Sequence, residues 1–280
     1  MLGRNTRVMG IVNLTQDSFS DGGRFWPPVA GVEGALAMFE HGAAIVDLGG
    51  ESTRPGNRPP VSPAEEQDRV LPVLEGILRH RPDAIVSIDT YKAATAEAAL
   101  RSGAEIVNDV SGLTWDPAMA QTCAATGCGL VLMHTRGRPE DWRTLPKLKG
   151  EQLLALVKEE LERLLGASLA AGLTRANIVL DPGLGFGKAF ESNYPLLARL
   201  DEFLTIGQPL LAGPSRKSFL GRTLAPLYGG EDVALSARGN ASLAAATAAI
   251  LAGASLVRVH DVRPTVEAAA IADAILGAQL

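Results

Sequence analysis

The 280-residue chain is poor in cysteine, with only Cys123 and Cys128. One pair cannot staple a chain this long, so a disulfide-built secreted scaffold is excluded. Their C-x4-C spacing has no companion Cys or His cluster, which argues against a structural zinc site. Basic charge is also short. Lys and Arg number 26 against 31 Asp and Glu, a formal net charge of −5. A nucleic-acid-binding surface needs a basic face, so that class is set aside, whereas a local basic pocket for a phosphorylated ligand is not. The first six residues contain no apolar signal-peptide core. The most apolar uncharged stretch, 241–257, is mostly Ala, Ser, Thr and Gly. It reads as a buried helix followed by a strand, not as a membrane span. The expectation is a soluble, cytoplasmic chain with neither a membrane nor a nucleic acid as partner.

What is present is a globular composition, 46% hydrophobic and 20% charged. Short runs rich in Val, Ile and Leu recur at 8–12, 44–48, 84–88, 105–107, 129–133, 178–180, 209–212 and 256–259. Runs apolar on both faces suit a buried parallel sheet. Helical patterns lie between them. Ser62-Pro63-Ala64-Glu65 combines an N-cap, a first-turn proline and a capping-box glutamate. Asp116-Pro117 reads as a second N-cap pair, and 151–171 carries leucines at helical spacing. Pro72 is expected to kink or interrupt the helix around it. His41 and His80 end helices, where they complement the dipole. Eight alternating units predict a closed eight-stranded β/α barrel in one domain spanning 1–280; an open doubly wound sheet would alternate in the same way.

The polar residues sit where the strands end. The runs lead in order to Asn13, then Asp47 and Glu51, then Asp89, Asn108-Asp109, His134, Asp181, Ser215-Arg216-Lys217, and finally Arg258, His260 and Asp261. In a closed barrel these ends surround one mouth. Two chemistries can be read there. Asp89, Asn108, Asp181 and Lys217 suit a flat heterocycle with an N–C–N edge, because one carboxylate accepts two N–H bonds from such an edge. Asn13, Thr53, Arg54, Arg258 and His260 suit a diphosphate with magnesium, which takes few protein ligands. Several residues have plain structural readings as well. Asp109 caps the next turn, Asp47 bonds backbone amides before its two glycines, Glu51 pairs with an arginine such as Arg54, and His134 holds a carbonyl. Phe186, in a Gly-rich loop, reads as a ligand-stacking lid. The polar loops 15–28 and 53–60 follow strands and are expected to act as lids. The run Gly183-Leu184-Gly185-Phe186-Gly187-Lys188 lacks the spacing of a nucleotide-triphosphate loop.

Ordered motifs carry a resemblance. They are Met9-Gly10-Ile11-Val12-Asn13 with Asp17-Ser18-Phe19-Ser20-Asp21-Gly22-Gly23; Asp47-Leu48-Gly49-Gly50-Glu51-Ser52-Thr53-Arg54-Pro55-Gly56; Ser87-Ile88-Asp89; Asn108-Asp109-Val110; Leu132-Met133-His134; Asp181-Pro182-Gly183; Ser215-Arg216-Lys217-Ser218; and Arg258-Val259-His260-Asp261. Together they resemble the dihydropteroate synthase family over nearly the whole chain. The resemblance implies a β/α barrel that joins (7,8-dihydropterin-6-yl)methyl diphosphate to 4-aminobenzoate, with Mg2+, and a homodimer. It assigns pterin contacts to Asp89, Asn108, Met133, Asp181 and Lys217, and diphosphate contacts to Thr53, Arg258 and His260. It assigns magnesium to Asn13, and the aminobenzoate pocket to the Ser18-Phe19 loop, Arg54-Pro55 and Ser218. Asp89, Asp181, Lys217 and Arg258 become the catalytic set. Gln16 stands where the family often has Pro, and Thr135-Arg136-Gly137 where it usually has Met-Gln-Gly. A pterin-binding methyltransferase module would share the carboxylate–amide site but need no diphosphate grip. A non-catalytic binding subunit would need no intact polar ring.

Overall fold

A computed structural model describes residues 5–15, 27–52, 60–231 and 233–278. Eight strands alternate with helices. The first half runs β1 (Arg7–Asn13), α1 (Pro28–Glu40), β2 (Ile45–Gly49), α2 (Pro63–His80), β3 (Val86–Asp89), α3 (Ala93–Arg101), β4 (Ile106–Asp109) and α4 (Met119–Thr126). The second half runs β5 (Gly129–Met133), α5 (Gly150–Ala170), β6 (Ile178–Asp181), α6 (Asn193–Ala198), β7 (Leu211–Ala212), α7 (Ser218–Leu224), α8 (Gly239–Leu251), β8 (Leu256–Val259) and α9 (Val262–Gly277). All pairings are parallel, in the order β6-β5-β4-β3-β2-β1-β8-β7. A parallel bridge between Leu180 and Leu210 joins the two ends of that order. The sheet therefore curls into a nearly closed barrel, and the open-sheet alternative is dismissed.

Strand alternation sorts side chains into two cores. Outward residues such as Val46, Ile88, Leu132 and Val257 pack under the helices. A smaller inward cluster of Met9, Ile45, Val131, Leu211 and Leu256 fills the lower barrel. Both are needed because a parallel sheet must be covered on both faces.

Two of the helix starts follow the local chemistry expected of them. The Ser62 hydroxyl accepts the Glu65 N–H at 3.2 Å and caps α2. Asp116 caps the turn that leads into α4, its Oδ1 accepting the Ala118 N–H at 3.0 Å, and its Oδ2 also accepts the Ala93 N–H at 2.8 Å, across at the start of α3. Pro72 does not interrupt α2, which continues to His80. Pro72 and Asp68, whose carbonyl it frees, are both exposed, so water can take that carbonyl. The stretch after residue 238 is a helix followed by a strand, as its composition suggests. Among the described residues no helix is long and apolar enough to cross a membrane.

Candidate active site

The C-terminal strand ends bring the polar inward residues together. Along the sheet, Asn13 is the register partner of Gly49, Gly49 of Asp89, and Asp89 of Asn108. Further round, Met133 partners Asp181. Arg258 reaches across from β8. Its Nη2 donates to Asp89 Oδ2 at 2.6 Å and its Nε to Asp47 Oδ2 at 2.6 Å. Asn108 Nδ2 donates to the same Asp47 oxygen at 2.9 Å. Asp47 was expected to hold turn amides, but alternation points it into the barrel, where side chains reach it instead. Asn108, Met133 and Asp181 are buried, and Asp89 and Arg258 are half-buried. The heterocycle set and the diphosphate set are thus not separate, since Arg258 binds Asp89, a carboxylate of the first.

Burial sets the electrostatics. It pushes the Asp89 carboxyl up to about 7, with Arg258 pulling back and Asp47 adding to the rise. Burial also raises Asp181, against the Gly183 amide, which donates to Asp181 Oδ1 at 2.7 Å, and against Lys217. For the Arg258 guanidinium burial is the largest influence and disfavours the charge, but Asp47 and Asp89 outweigh it and hold the cation above its ordinary range.

Lys217 stands at the start of α7, after a turn in which Arg216 adopts a left-handed φ of 55°. A non-glycine in that region is strained, and such strain persists only where neighbours over-determine it. Here the Arg216 N–H donates to Ser242 Oγ at 2.8 Å and its guanidinium to Asp261 Oδ1 at 2.8 Å. The turn projects the Lys217 ammonium 4.0 Å from the centre of the Phe186 ring. Phe186 is half-buried and meets Trp142 edge-on, with ring centres 5.4 Å apart. Ser215 Oγ lies 2.9 Å from His260 Nδ1. Ser218 opens α7 and is exposed. Thr53, Arg54, the Ser18-Phe19 loop and all but the edges of the two expected lids lie outside the described residues.

Two strand-end residues face away from the mouth, and Glu51, past the end of β2, is taken up by neighbours past the end of β3. His134 follows inward Met133 and so points outward, where its Nε2 meets Glu160 Oε2 at 2.7 Å rather than a carbonyl. Burial, then Lys188, lowers its imidazole to about 4. Asp109, next to inward Asn108, accepts the Ser111 and Leu113 amides at 2.8 and 2.7 Å and caps its turn as expected. Glu51 takes the Tyr91 hydroxyl at 2.9 Å and pairs with Lys92, which also reaches Glu66 at 3.1 Å.

Sequence reasoning missed Lys188. Its ammonium is buried, and burial pushes it down to about 7 despite Asp181. It donates to the carbonyls of Gly183, Phe186 and His134 at 2.8, 3.1 and 3.3 Å. Gly183, at φ 68°, packs so closely that a Cβ there would lie 1.9 Å from the His134 carbonyl oxygen, so only glycine fits. Lys188 therefore staples the loop after β5 to the loop after β6. Arg136 adds bonds to Gly187 and Pro146 carbonyls at 3.2 and 3.0 Å. The usable signal was a lysine closing a glycine-rich run that lacks phosphate-loop spacing. Cys123 and Cys128 are free, buried thiols, and no His, Cys, Asp or Glu cluster able to hold a metal exists among the described residues.

Comparison with known proteins agrees with this geometry. The family model for pterin binding enzymes matches residues 9–260. A dihydropteroate synthase of Mycobacterium leprae is 44% identical over 275 residues, covering 97% of this chain and 94% of that protein. The dihydropteroate synthase of Yersinia pestis, solved in a sulfonamide drug complex, superposes with a TM-score of 0.90 at 40% identity, covering 98% of this chain and 95% of the other. That of Xanthomonas albilineans, solved with 4-aminobenzoic acid, gives 0.85 at 39% identity, covering 97% and 93%. A barrel whose eight strand ends gather these side chains in this order, matched from its first strand to its last, belongs to the dihydropteroate synthase family of pterin binding enzymes.

Proposed function

We infer that the chain joins (7,8-dihydropterin-6-yl)methyl diphosphate to 4-aminobenzoate, releasing 7,8-dihydropteroate and diphosphate. The observation that carries this reading is the meeting of Asp89, Asn108, Asp181 and Arg258 at one barrel mouth. Buried carboxylates and an amide suit the N–H edge of a pterin, and charge-assisted bonds are the stronger kind. Met133 supplies an apolar surface beside Asp181 for the flat ring.

The reaction needs no covalent protein nucleophile. The bond between the methylene carbon and the diphosphate oxygen breaks, and the electron-rich pterin shares the developing positive charge. Ionised Asp89 and Asp181 favour that charge. The aniline nitrogen of 4-aminobenzoate attacks the methylene carbon and gives up a proton to water. Arg258, His260 and Thr53 hold the departing anion, and electrostatic help of this kind often contributes more to catalysis than any other effect. Phe186, Arg54 and Ser218 shape the place of the second substrate and exclude water, which would otherwise capture the cation. The ligands in the two related structures named above support that second place.

Magnesium fits the donors available. Asn13 Oδ1 and Asp89 Oδ2 both face Gly49, each 3.7 Å from where a Cβ there would sit. Among the described residues there is no cluster of three or more His, Cys, Asp or Glu able to hold a metal, and Asn13 offers a hard amide oxygen that would suit an ion held mainly by diphosphate and water. When bound, the ion supplies charge neutralisation on the leaving group.

We further infer a homodimer through the last two helices, where Leu251, Ile271 and Ile275 are large apolar side chains left exposed. A cytoplasmic setting agrees with the free thiols. Purified chain, both substrates and Mg2+ should yield diphosphate and dihydropteroate in equal amounts; no release of diphosphate would overturn the activity.

A further inference from the structure

We propose that Asp47 is a positioning residue that sets ring specificity: it locks the Asn108 amide so that β4 offers an oxygen acceptor, and no donor, to the bound heterocycle. The inference rests on the reading that Asn108, Asp89 and Asp181 hold a pterin.

The side chain of Asp47 is fully buried in β2, and one of its oxygens does two tasks. Oδ2 accepts from Asn108 Nδ2 at 2.9 Å and from Arg258 Nε at 2.6 Å. An ionised carboxylate has only acceptors, so the amide nitrogen of Asn108 must face it. The Asn108 carbonyl oxygen is then turned away from Asp47, and the orientation cannot reverse without setting oxygen against oxygen. The guanidinium is fixed in the same way. With Nε docked on Asp47, Nη2 reaches Asp89 at 2.6 Å, and Asp89 is the register partner of Asn108. One carboxylate thus orients an acceptor on β4 and the cation that spans β8 and β3.

A stabilising role alone does not account for the arrangement. Among the described residues the second oxygen, Asp47 Oδ1, has no hydrogen-bond partner, and neither has Ser87 Oγ, its register neighbour inside the barrel. Buried polar atoms are normally satisfied, and one that is not weakens the fold. The barrel floor two residues below uses Ile45 at the corresponding place on β2. An apolar pair at the level of Asp47 and Arg258 would serve stability as well. What it would not supply is a fixed amide orientation. With a carboxylate at 47, Asn108 selects ligands that present N–H. With an amide at 47, Asn108 is free to turn and accept a carbonyl as readily.

Asp47→Asn and the smaller Asp47→Ser test this in the full chain, each checked for folding by thermal melting. Calorimetry would compare a pterin with the analogue carrying a carbonyl oxygen in place of the 2-amino group. Either variant should bind the pterin at least about tenfold more weakly and lose at least about tenfold of the preference over the analogue. The KM for 4-aminobenzoate should stay within about twofold. Adding Asn108→Ala to Asp47→Asn should cost less than it does in the wild type, because the two changes remove one lock. A folded variant that keeps both pterin affinity and preference overturns the inference, as do effects that simply multiply. Wild-type protein that binds no pterin overturns the functional reading, and this inference with it.

Discussion

The two ends of the barrel are built from the same strands and do opposite work. At the floor, Met9, Ile45, Val131, Leu211 and Leu256 form a dry inward cluster. Two residues further along their strands, roughly 7 Å higher at about 3.3 Å per residue, β2 and β8 carry Asp47 and Arg258. The floor is cheap to bury and rewards burial. The rim gathers carboxylates and a guanidinium whose desolvation opposes folding. Stability and chemistry are therefore segregated along one direction of the strands, which lets the rim be tuned for a ligand without loosening the scaffold.

The hardest blow to this segregation is to exchange its two ends on β8. Arg258→Ala should lower kcat by about 10²- to 10³-fold, the range for losing a preorganised charge at a leaving group. Stability should fall as well, because buried Asp47 is left facing Asp89 without the cation between them. Arg258→Lys should recover only part of the rate, since a point charge cannot fork between two carboxylates. Leu256→Ala, two residues below, should cost stability and spare turnover. A cavity in the floor costs about 2–5 kcal/mol of stability by denaturant titration, with both KM values within about twofold. If Leu256→Ala impaired turnover as severely as Arg258→Ala, floor and rim would be one cooperative unit and the comparison would fail.

Proton linkage separates the ends a second way, because only the rim titrates. Asp89, held up to about 7, must be ionised to accept two N–H bonds. Below that pH, kcat/KM for the pterin substrate should fall by up to about tenfold per unit, and Asp89→Asn should lack that limb. For stability the sign is opposite. A carboxyl raised above its ordinary value contributes most at low pH, and for Asp89 that contribution is lost as pH rises from about 4 to about 7. Lys188, lowered from its ordinary 10.5 to about 7, acts in the window above: its contribution is lost as pH falls from about 10.5 to about 7. These two groups should thus leave their joint contribution to stability lowest near pH 7, where the activity limb of Asp89 is reaching its plateau. A stability profile that tracked the activity profile would contradict the assignment.

The strands and the roster of the rim were legible in the sequence because both obey short rules. Apolar runs mark strands, and a barrel puts their ends in one place. What stayed hidden depended on which way a side chain points. Asp47 and Asn108 face in, while Asp109 and His134, one residue on from inward positions, face out. The sequence treats all four as polar strand-end residues, and only the register of closure separates them. Asp116 was legible only in part: its Asp-Pro signal announces the local cap on Ala118, but not the second amide it holds, at the start of α3 and 23 residues earlier. Lys188 escaped because its partners are backbone carbonyls, which no side-chain pattern announces.

The smallest expected effect probes where the rim gives way to its cover. The Phe186 ring sits under the Lys217 ammonium at 4.0 Å and against Trp142. Its loop is fixed from below by Lys188, so removing the ring should leave the backbone in place. Phe186→Ala then deletes one cation–π contact and part of the apolar wall, about 1 kcal/mol, or roughly fivefold. If the ring covers the second substrate, the loss should fall on KM for 4-aminobenzoate and on hydrolysis of the pterin diphosphate by water, which should rise. If the ring instead only steadies Lys217, the loss should fall on pterin affinity, and Phe186→Leu should not restore it, because leucine fills the wall without offering a π face. The split between those two readouts decides whether Phe186 belongs to the rim or to its lid.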